Sequence, residues 1–429
     1  MGSSQSTEAT ERASKSQPKG KVAIIGGGPG GAGVSRALVA RGFDVDIFES
    51  QDGFGGVWKY TGRGPMYRDL DTNIVAKLME YKDFPFKGSQ GYRDREDVYE
   101  YVVEYSKKYT TNVHFNTTIA NVLKDENSWR LIDIKGKEYE ADFIVLAAGH
   151  YNVPFTPEIE GIEEWRKVHP GTVLHSRTFD NPDVFENKKV VVVGNGASGL
   201  DVAIQILSVT APVSVCRRHE APSDVLFDGE NMVLKPELIK VDAQTQTVYY
   251  QDGSSDPADV ILFCTGYLYE FPFLREFSDG QKYPLLHPRR QRLCNLYERT
   301  IYLTDPTLAV VGMDKQIVPM PVSEAQGAVI ARVFAKDLTL PPLAEMVELE
   351  RRAVEVRGDG QSYHNLGYPN DAEWMAKLDE WVDTAPTERG FTAEKWDSEK
   401  LDLRKHSSKT KLGEFRHKID QSNRKRLQK

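Results

Sequence analysis

The chain has 429 residues, 40% of them hydrophobic and 10% aromatic, with 55 Lys+Arg against 63 Asp+Glu and a net charge of −8. That length suits two or three domains, the apolar content excludes a disordered chain, and the acidic balance argues against a nucleic-acid binder. Three cysteines with no C-x-x-C pair exclude a disulfide scaffold or zinc ribbon, and no apolar run of about 18 residues is present to span a bilayer. These bounds describe a soluble multidomain protein of a reducing compartment, so a cytoplasmic location is expected.

Residues 1–20 are rich in Ser, Thr, Glu and Lys and predict a disordered leader without a secretory apolar region. Met1-Gly2-Ser3-Ser4-Gln5-Ser6 fits the M-G-x-x-x-[ST] acylation pattern, beside the plainer reading of a solvated end. The apolar run Lys21-Val22-Ala23-Ile24-Ile25 then predicts a buried parallel strand. Gly26-Gly27-Gly28-Pro29-Gly30-Gly31 follows as G-x-G-x-x-G, a helix is predicted over 32–41, and Asp44-Val45-Asp46-Ile47-Phe48-Glu49 reads as the next strand. Gly26 permits the tight turn, Gly28 lets backbone approach a pyrophosphate, and Gly31 lets helix pack against strand. The helix N-terminus offers unpaired N–H groups to phosphates, and Glu49 can accept ribose hydroxyls. Residues 113–139 alternate in β fashion and predict a small antiparallel meander, and Phe143-Ile144-Val145-Leu146-Ala147-Ala148-Gly149 reads as a strand ending in small residues.

The same unit recurs. Lys189-Val190-Val191-Val192-Val193 leads into Gly194-Asn195-Gly196-Ala197-Ser198-Gly199, with a helix predicted through about residue 207 and a strand at Val213-Ser214-Val215-Cys216. Glu49 lies 23 positions past Gly26, and the same offset from Gly194 falls on Arg217, with Arg218 beside it. A carboxylate repels a 2′-phosphate, whereas guanidinium binds one in bidentate fashion. The first unit is therefore expected to take a dinucleotide without that phosphate, and the second NADPH. Two such units in one chain suggest hydride passing between nicotinamide and flavin. Val260-Ile261-Leu262-Phe263-Cys264-Thr265-Gly266-Tyr267 repeats the small-residue strand end. Residues 404–429 carry ten Lys/Arg against two Asp/Glu, a basic tail read as a solvated end.

Taken together, several motifs resemble the flavin-containing monooxygenases, class B flavoprotein oxygenases, in their fungal and yeast-like branch. Gly55-Gly56-Val57-Trp58 is similar to the family's G-G-x-W segment, and Leu70-Asp71-Thr72-Asn73 followed by Met79-Glu80-Tyr81-Lys82-Asp83-Phe84-Pro85-Phe86 to its active-site asparagine region. Residues 169–179 resemble the fingerprint F-x-G-x-x-x-H-x-x-x-[FY], with His169 in place of Phe and His175 at the histidine. Thr265-Gly266-Tyr267, the 308–313 strand, Glu324-Ala325-Gln326 and Tyr363-His364-Asn365-Leu366-Gly367-Tyr368 continue the likeness, which covers residues 21–381. Ser323 with Gln326 also fits a plain helix capping box.

The resemblance implies an α/β fold of two Rossmann-like dinucleotide-binding domains, the NADPH domain inserted into the FAD domain. FAD would occupy residues 21–160 and 271–380, NADPH residues 161–270, with an extension over 381–429. The implied cofactor-binding set is Gly26, Gly28, Pro29, Gly30, Gly31, Glu49, Gln51, Gly56, Val57, Trp58, Thr72, Asn73, Ile119, Gly149, Gly194, Asn195, Ala197, Ser198, Gly199, Arg217, Arg218, Thr265, Gly266 and Gln326. Asn73 is the implied catalytic residue, and no metal is expected. His175 is more simply a satisfied hinge histidine, and Trp58 packing. The implied activity is N- or S-oxygenation of a small soft nucleophile by NADPH and O2 through a flavin C4a-hydroperoxide, in thiol redox work or in tailoring a nitrogen-containing natural product. Phe179-Asp180, where Baeyer–Villiger enzymes carry Trp, favours heteroatom oxygenation. Baeyer–Villiger chemistry, flavin disulfide reduction, oxidoreduction without oxygenation and a non-catalytic NADPH sensor stay as rivals. A homodimer is left open.

Overall fold

The computed structural model describes residues 19–62, 64–88, 90–218, 220–278, 280–386 and 390–428; all of the expected leader except Lys19 and Gly20, and with it the acylation pattern, lies outside the described residues. Two parallel sheets organise the chain. The first has seven strands, in the order Leu296–Tyr297, Ile301–Tyr302, Leu308–Val310, Phe143–Leu146, Lys21–Ile25, Asp44–Phe48 and Asn112–His114. Its last five run parallel, and the other two turn back antiparallel at one edge. The second has five parallel strands, in the order Met232–Lys235, Val213–Cys216, Val190–Val193, Val260–Phe263 and Val173–His175. All of these come from residues between Phe143–Leu146 and Leu296–Tyr297, so one unit is inserted into the other. The crossing is stapled by Val153–Pro154, which pairs antiparallel with Tyr267–Leu268.

The central strands are Val- and Ile-rich runs buried on both faces, as parallel sheets require. Helices Pro29–Arg41 and Pro319–Phe334 pack together on the first sheet, where Val34, Ala37, Leu38, Ala325, Ala328 and Val329 share one core. The helix Ala197–Ile206 covers the second sheet. The expected meander forms as Ile119–Lys124, Trp129–Asp133 and Glu138–Ala141, whereas Val113 belongs to the parallel strand Asn112–His114. The capping-box reading fails: the helix starts at Pro319, and Ser323 lies inside it, donating to the Met320 carbonyl at 2.7 Å.

The basic tail is the larger departure. Instead of a solvated end, residues Ser398–Leu427 form one 30-residue helix, about 45 Å long at ~1.5 Å per residue. Lys400, Arg404, Ser407, Lys411 and Phe415, spaced four, three, four and four apart, are buried on one face. Arg404 is anchored in the first unit by Asp371 and the Gln316 carbonyl, at 2.8 and 2.9 Å. Phe415 enters the core of the second.

Candidate functional site

Both glycine cradles form as expected at the carboxyl ends of central strands. Gly26 and Gly194 each adopt φ of +114°, a left-handed turn that non-glycine residues rarely adopt. A Cβ on Gly31 would stand 2.0 Å from the Gly26 carbonyl oxygen, and one on Gly199 2.0 Å from that of Gly194. Only glycine lets these helices start so close to their strands. Pro29 occupies the first turn of its helix, where its missing N–H costs nothing. Gly30 sits next to it.

Glu49 is buried, and its carboxylate accepts from the Gly27 N–H at 2.6 Å, the Gln51 N–H at 2.8 Å and the Ser50 hydroxyl at 3.2 Å. Gln51 donates to the Gly56 carbonyl at 3.1 Å, while its own Oε1 is buried with no partner. In the second cradle the Asn195 Nδ2 is likewise buried and unpartnered. Each cradle thus holds an orphan amide atom beside glycines that admit no side chain, features that fit a polar guest in both. Ala197 and Ser198 lie exposed at the mouth of the second. Arg217 pairs with Asp224, and Arg218 Nε lies 2.6 Å from Glu237 Oε1, the two guanidinium groups remaining partly exposed.

Asn73 sits on the loop after Asp71, which bridges to Asp94. Thr72 is buried: its N–H donates to the Arg93 carbonyl at 2.8 Å, and its hydroxyl accepts from the Arg93 N–H at 3.0 Å. Asn73 itself is exposed, and its amide bonds to none of the described residues. Downstream, an aromatic stack of Tyr81 on Tyr105 and Phe86 on Tyr101 fixes the segment, and Tyr81 donates its hydroxyl to the Pro29 carbonyl at 2.8 Å. Trp58 is buried with this stack, as packing would have it, with Val57 beside it. Buried Glu324 accepts from the Lys82 N–H, Arg36 and Tyr105, and burial pushes its carboxyl up to about 7.

Gln326 is buried. Its Oε1 accepts from the Gly312 N–H at 3.0 Å, and its Nε2 donates to Thr300 and the Val310 carbonyl, so it pins the helix to the returning strand. Ile119 is buried in the core behind the first sheet. Gly149 and Gly266 take positive φ at the two strand ends, and the Thr265 hydroxyl donates to the Phe155 carbonyl. His175 is satisfied: Nδ1 accepts from the Arg177 N–H at 3.0 Å, so Nε2 donates to the Gly266 carbonyl at 3.1 Å. Burial lowers its pKa, in keeping with a neutral hinge residue. The unusual His169 ends the helix Ile162–Val168 and reaches the Ala243 carbonyl at 2.7 Å, a tie that phenylalanine cannot make.

Sequence reasoning missed the polar seam between the units. Tyr67 donates to buried Asp201 at 2.6 Å, and Lys418 of the C-terminal helix reaches both Asp71, at 2.7 Å, and Asp201, at 3.2 Å. Lys411 donates to the Thr72 carbonyl at 2.9 Å. Of these residues only Asp71 and Thr72 lie in a motif; Tyr67, Asp201, Lys411 and Lys418 do not. The cysteines are separate and free, and burial pushes the thiols of Cys216, Cys264 and Cys294 up to about 12, far from a reactive thiolate. Among the described residues no His/Cys/Asp/Glu group could hold a metal, and no helix is long and apolar enough to cross a membrane.

A family model described as flavin-binding monooxygenase-like matches residues 19–221 and 219–387. The chain is 31% identical to a thiol-specific monooxygenase of Saccharomyces cerevisiae over 91% of both chains. It is 27% identical to the senecionine N-oxygenase of Tyria jacobaeae, over 85% of this chain and 83% of that one. Among solved structures, the S-allyl-L-cysteine S-oxygenase of Allium sativum superposes with a TM-score of 0.80 at 25% identity, over 96% of this chain and 99% of that one.

Proposed function

Because the chain belongs to the flavin-binding monooxygenase-like family, we propose that it uses NADPH and O2 to place one oxygen atom on a soft sulfur or nitrogen nucleophile. FAD belongs in the first cradle and NADPH in the second, with the domain division at 21–160 plus 271–380 and at 161–270. The observation that carries this reading is the pair of cradles in equal register, one ending in a buried acid and the other in two arginines. Sulfur is the first choice, since the yeast relative is thiol-specific and the garlic structure is an S-oxygenase.

When bound, FAD supplies the chemistry: NADPH reduces it, and it activates O2 for transfer to the nucleophile. The balance is substrate, O2, NADPH and a proton giving oxygenated substrate, water and NADP⁺. The protein's part is positioning. Glu49, oriented by three donors, keeps about one lone-pair site, on Oε2, for a ribose hydroxyl. Arg217 and Arg218 would exchange their carboxylates for the 2′-phosphate. Asn73 brings an uncommitted amide, whose N–H donors and carbonyl can orient the reacting groups. Gln326 acts indirectly, by holding Gly312. A disulfide reductase needs two neighbouring reactive cysteines, and the three thiols here are separate and buried or half-buried.

The test is to incubate the FAD-loaded protein with NADPH and a panel of thiols, thioethers, amines and one ketone. A mass gain of one oxygen on sulfur or nitrogen is expected. Ketone insertion alone, or NADPH consumption with no oxygenated product, would overturn the reading. Within that assay, Asn73→Ala should still hold FAD and oxidise NADPH, yet product formation should fall by roughly 100-fold with hydrogen peroxide released instead. Full product yield from that variant would remove Asn73 from the mechanism.

A further inference from the structure

The C-terminal helix touches the proposed site at one point. Its first half is held to the first unit by Arg404 on Asp371 and by Glu399 on Lys77. Its second half is held to the other unit by Phe415, by Lys418 on Asp201, and by Arg426, which donates to Asn231 at 2.8 Å. Between these anchors stands Lys411, buried, its ammonium 2.9 Å from the Thr72 carbonyl oxygen. That carbonyl belongs to the peptide bond joining Thr72 to Asn73.

Taking an ammonium out of water is unfavourable unless acceptors replace the water. Lys411 has one carbonyl, the faces of two rings, Tyr92 at 4.5 Å and Phe415 at 4.9 Å, and the longer-range attraction of Asp201, Asp71 and Glu414. Its pKa is accordingly lowered by burial, with Lys418 adding repulsion. An apolar side chain would serve helix docking alone at less cost. What the charge adds is a grip on Thr72 from a third direction, after the two bonds to Arg93. Lys418 ties the neighbouring Asp71 to Asp201 in the other unit, so the same helix relates the loop to the second cradle's helix.

We propose that Lys411 is a positioning residue for Asn73: it fixes the Thr72–Asn73 peptide from the C-terminal helix, so that the exposed Asn73 amide is presented in one orientation while the helix spans both nucleotide units. This rests on the reading of Asn73 given above. The loop is then pre-organised from outside the site, which leaves the Asn73 side chain uncommitted.

The experiment uses the full FAD-loaded chain and follows NADPH oxidation, oxygenated product and hydrogen peroxide together. Lys411→Met keeps the apolar stem and removes the donor. It should bind FAD and oxidise NADPH within about twofold of the parent, while the share of NADPH ending as peroxide rises at least about fivefold. Arg426→Ala loosens the second half of the helix without touching Lys411 or Thr72 and should leave that share unchanged. The double variant Asn73→Ala/Lys411→Met should be no more uncoupled than Asn73→Ala alone, because both changes act on one step. If Lys411→Met does not fold, Lys411→Gln carries the test, its shorter side chain falling short of the carbonyl. Full coupling in either folded variant overturns the proposal, as does equal uncoupling by Arg426→Ala. Should Asn73→Ala itself stay coupled, the reading of Asn73 fails; should it uncouple while Lys411→Met does not, the Lys411 proposal alone fails.

Discussion

The two cradles share a register. Ile25 pairs with Phe48 and Leu146, and Val193 pairs with Cys216 and Phe263, at the matching ends of their sheets. They diverge at the middle glycine. A Cβ on Gly28 would meet the Gly56 Cα at 3.3 Å, and one on Gly56 would meet the Gly28 Cα at 2.7 Å, so a second loop is pressed onto the first cradle. A Cβ on Gly196 would meet nothing within 4 Å. Their charged residues divide the same way: Glu49 is buried, whereas Arg217 and Arg218 remain partly open to water. A closed cradle with a locked acid suits a resident cofactor. An open one with arginines on exchangeable counter-ions suits a cofactor that arrives and leaves.

The comparison is broken most severely at the third glycines. Gly31→Ala and Gly199→Ala both force a methyl group onto a carbonyl oxygen, yet they should fail differently. Gly31→Ala should purify without flavin absorbance and lose all activity. Gly199→Ala should stay yellow while its rate of flavin reduction by NADPH falls by about 100-fold or more, because the helix N-terminus that would meet the phosphates is pushed off its strand. Absorbance spectra with stopped-flow reduction read both. Loss of flavin from both variants would show that the cradles are not independent.

Next in size is Arg217→Ala. A charged hydrogen-bonded contact to phosphate contributes about 1.5–3 kcal/mol, so KM for NADPH should rise about 10- to 100-fold. KM for NADH should hardly move. An equal rise for both coenzymes would assign Arg217 to the fold of the cradle instead of to the phosphate.

What was legible beforehand divides along the same line. Glycines such as Gly26 and Gly31 are demanded by backbone geometry within a few residues, so strand, turn and helix are written locally. The alternating meander is local too. The C-terminal helix is not. Its buried face is Lys400, Arg404, Ser407, Lys411 and Phe415, which carries almost no apolar signal, and its partners Thr72, Asp201 and Asp371 are remote in sequence. Charges counted along the chain look solvated until the acceptors that meet them are located. Ser323 misled for a related reason: the capping pattern is common, and the helix had already begun at Pro319, whose fixed φ suits a first turn.

The smallest expected effect sharpens the comparison at its electrostatic end. Asp224 holds Arg217 and also accepts from the Ala221 N–H at 3.2 Å, so it both competes with an incoming phosphate and shapes the turn. Asp224→Asn removes the competing charge and keeps an acceptor for the turn. A partly exposed ion pair contributes about 0–1 kcal/mol, which limits the gain in NADPH affinity to roughly fivefold at low salt. The gain should shrink as salt screens the pair, and NADH should show none of it. Weaker NADPH binding in Asp224→Asn would reverse the reading, because Arg217 would then need its carboxylate to be aimed at the phosphate. The two cradles would be alike after all, each holding its recognition residue by a partner supplied from the protein.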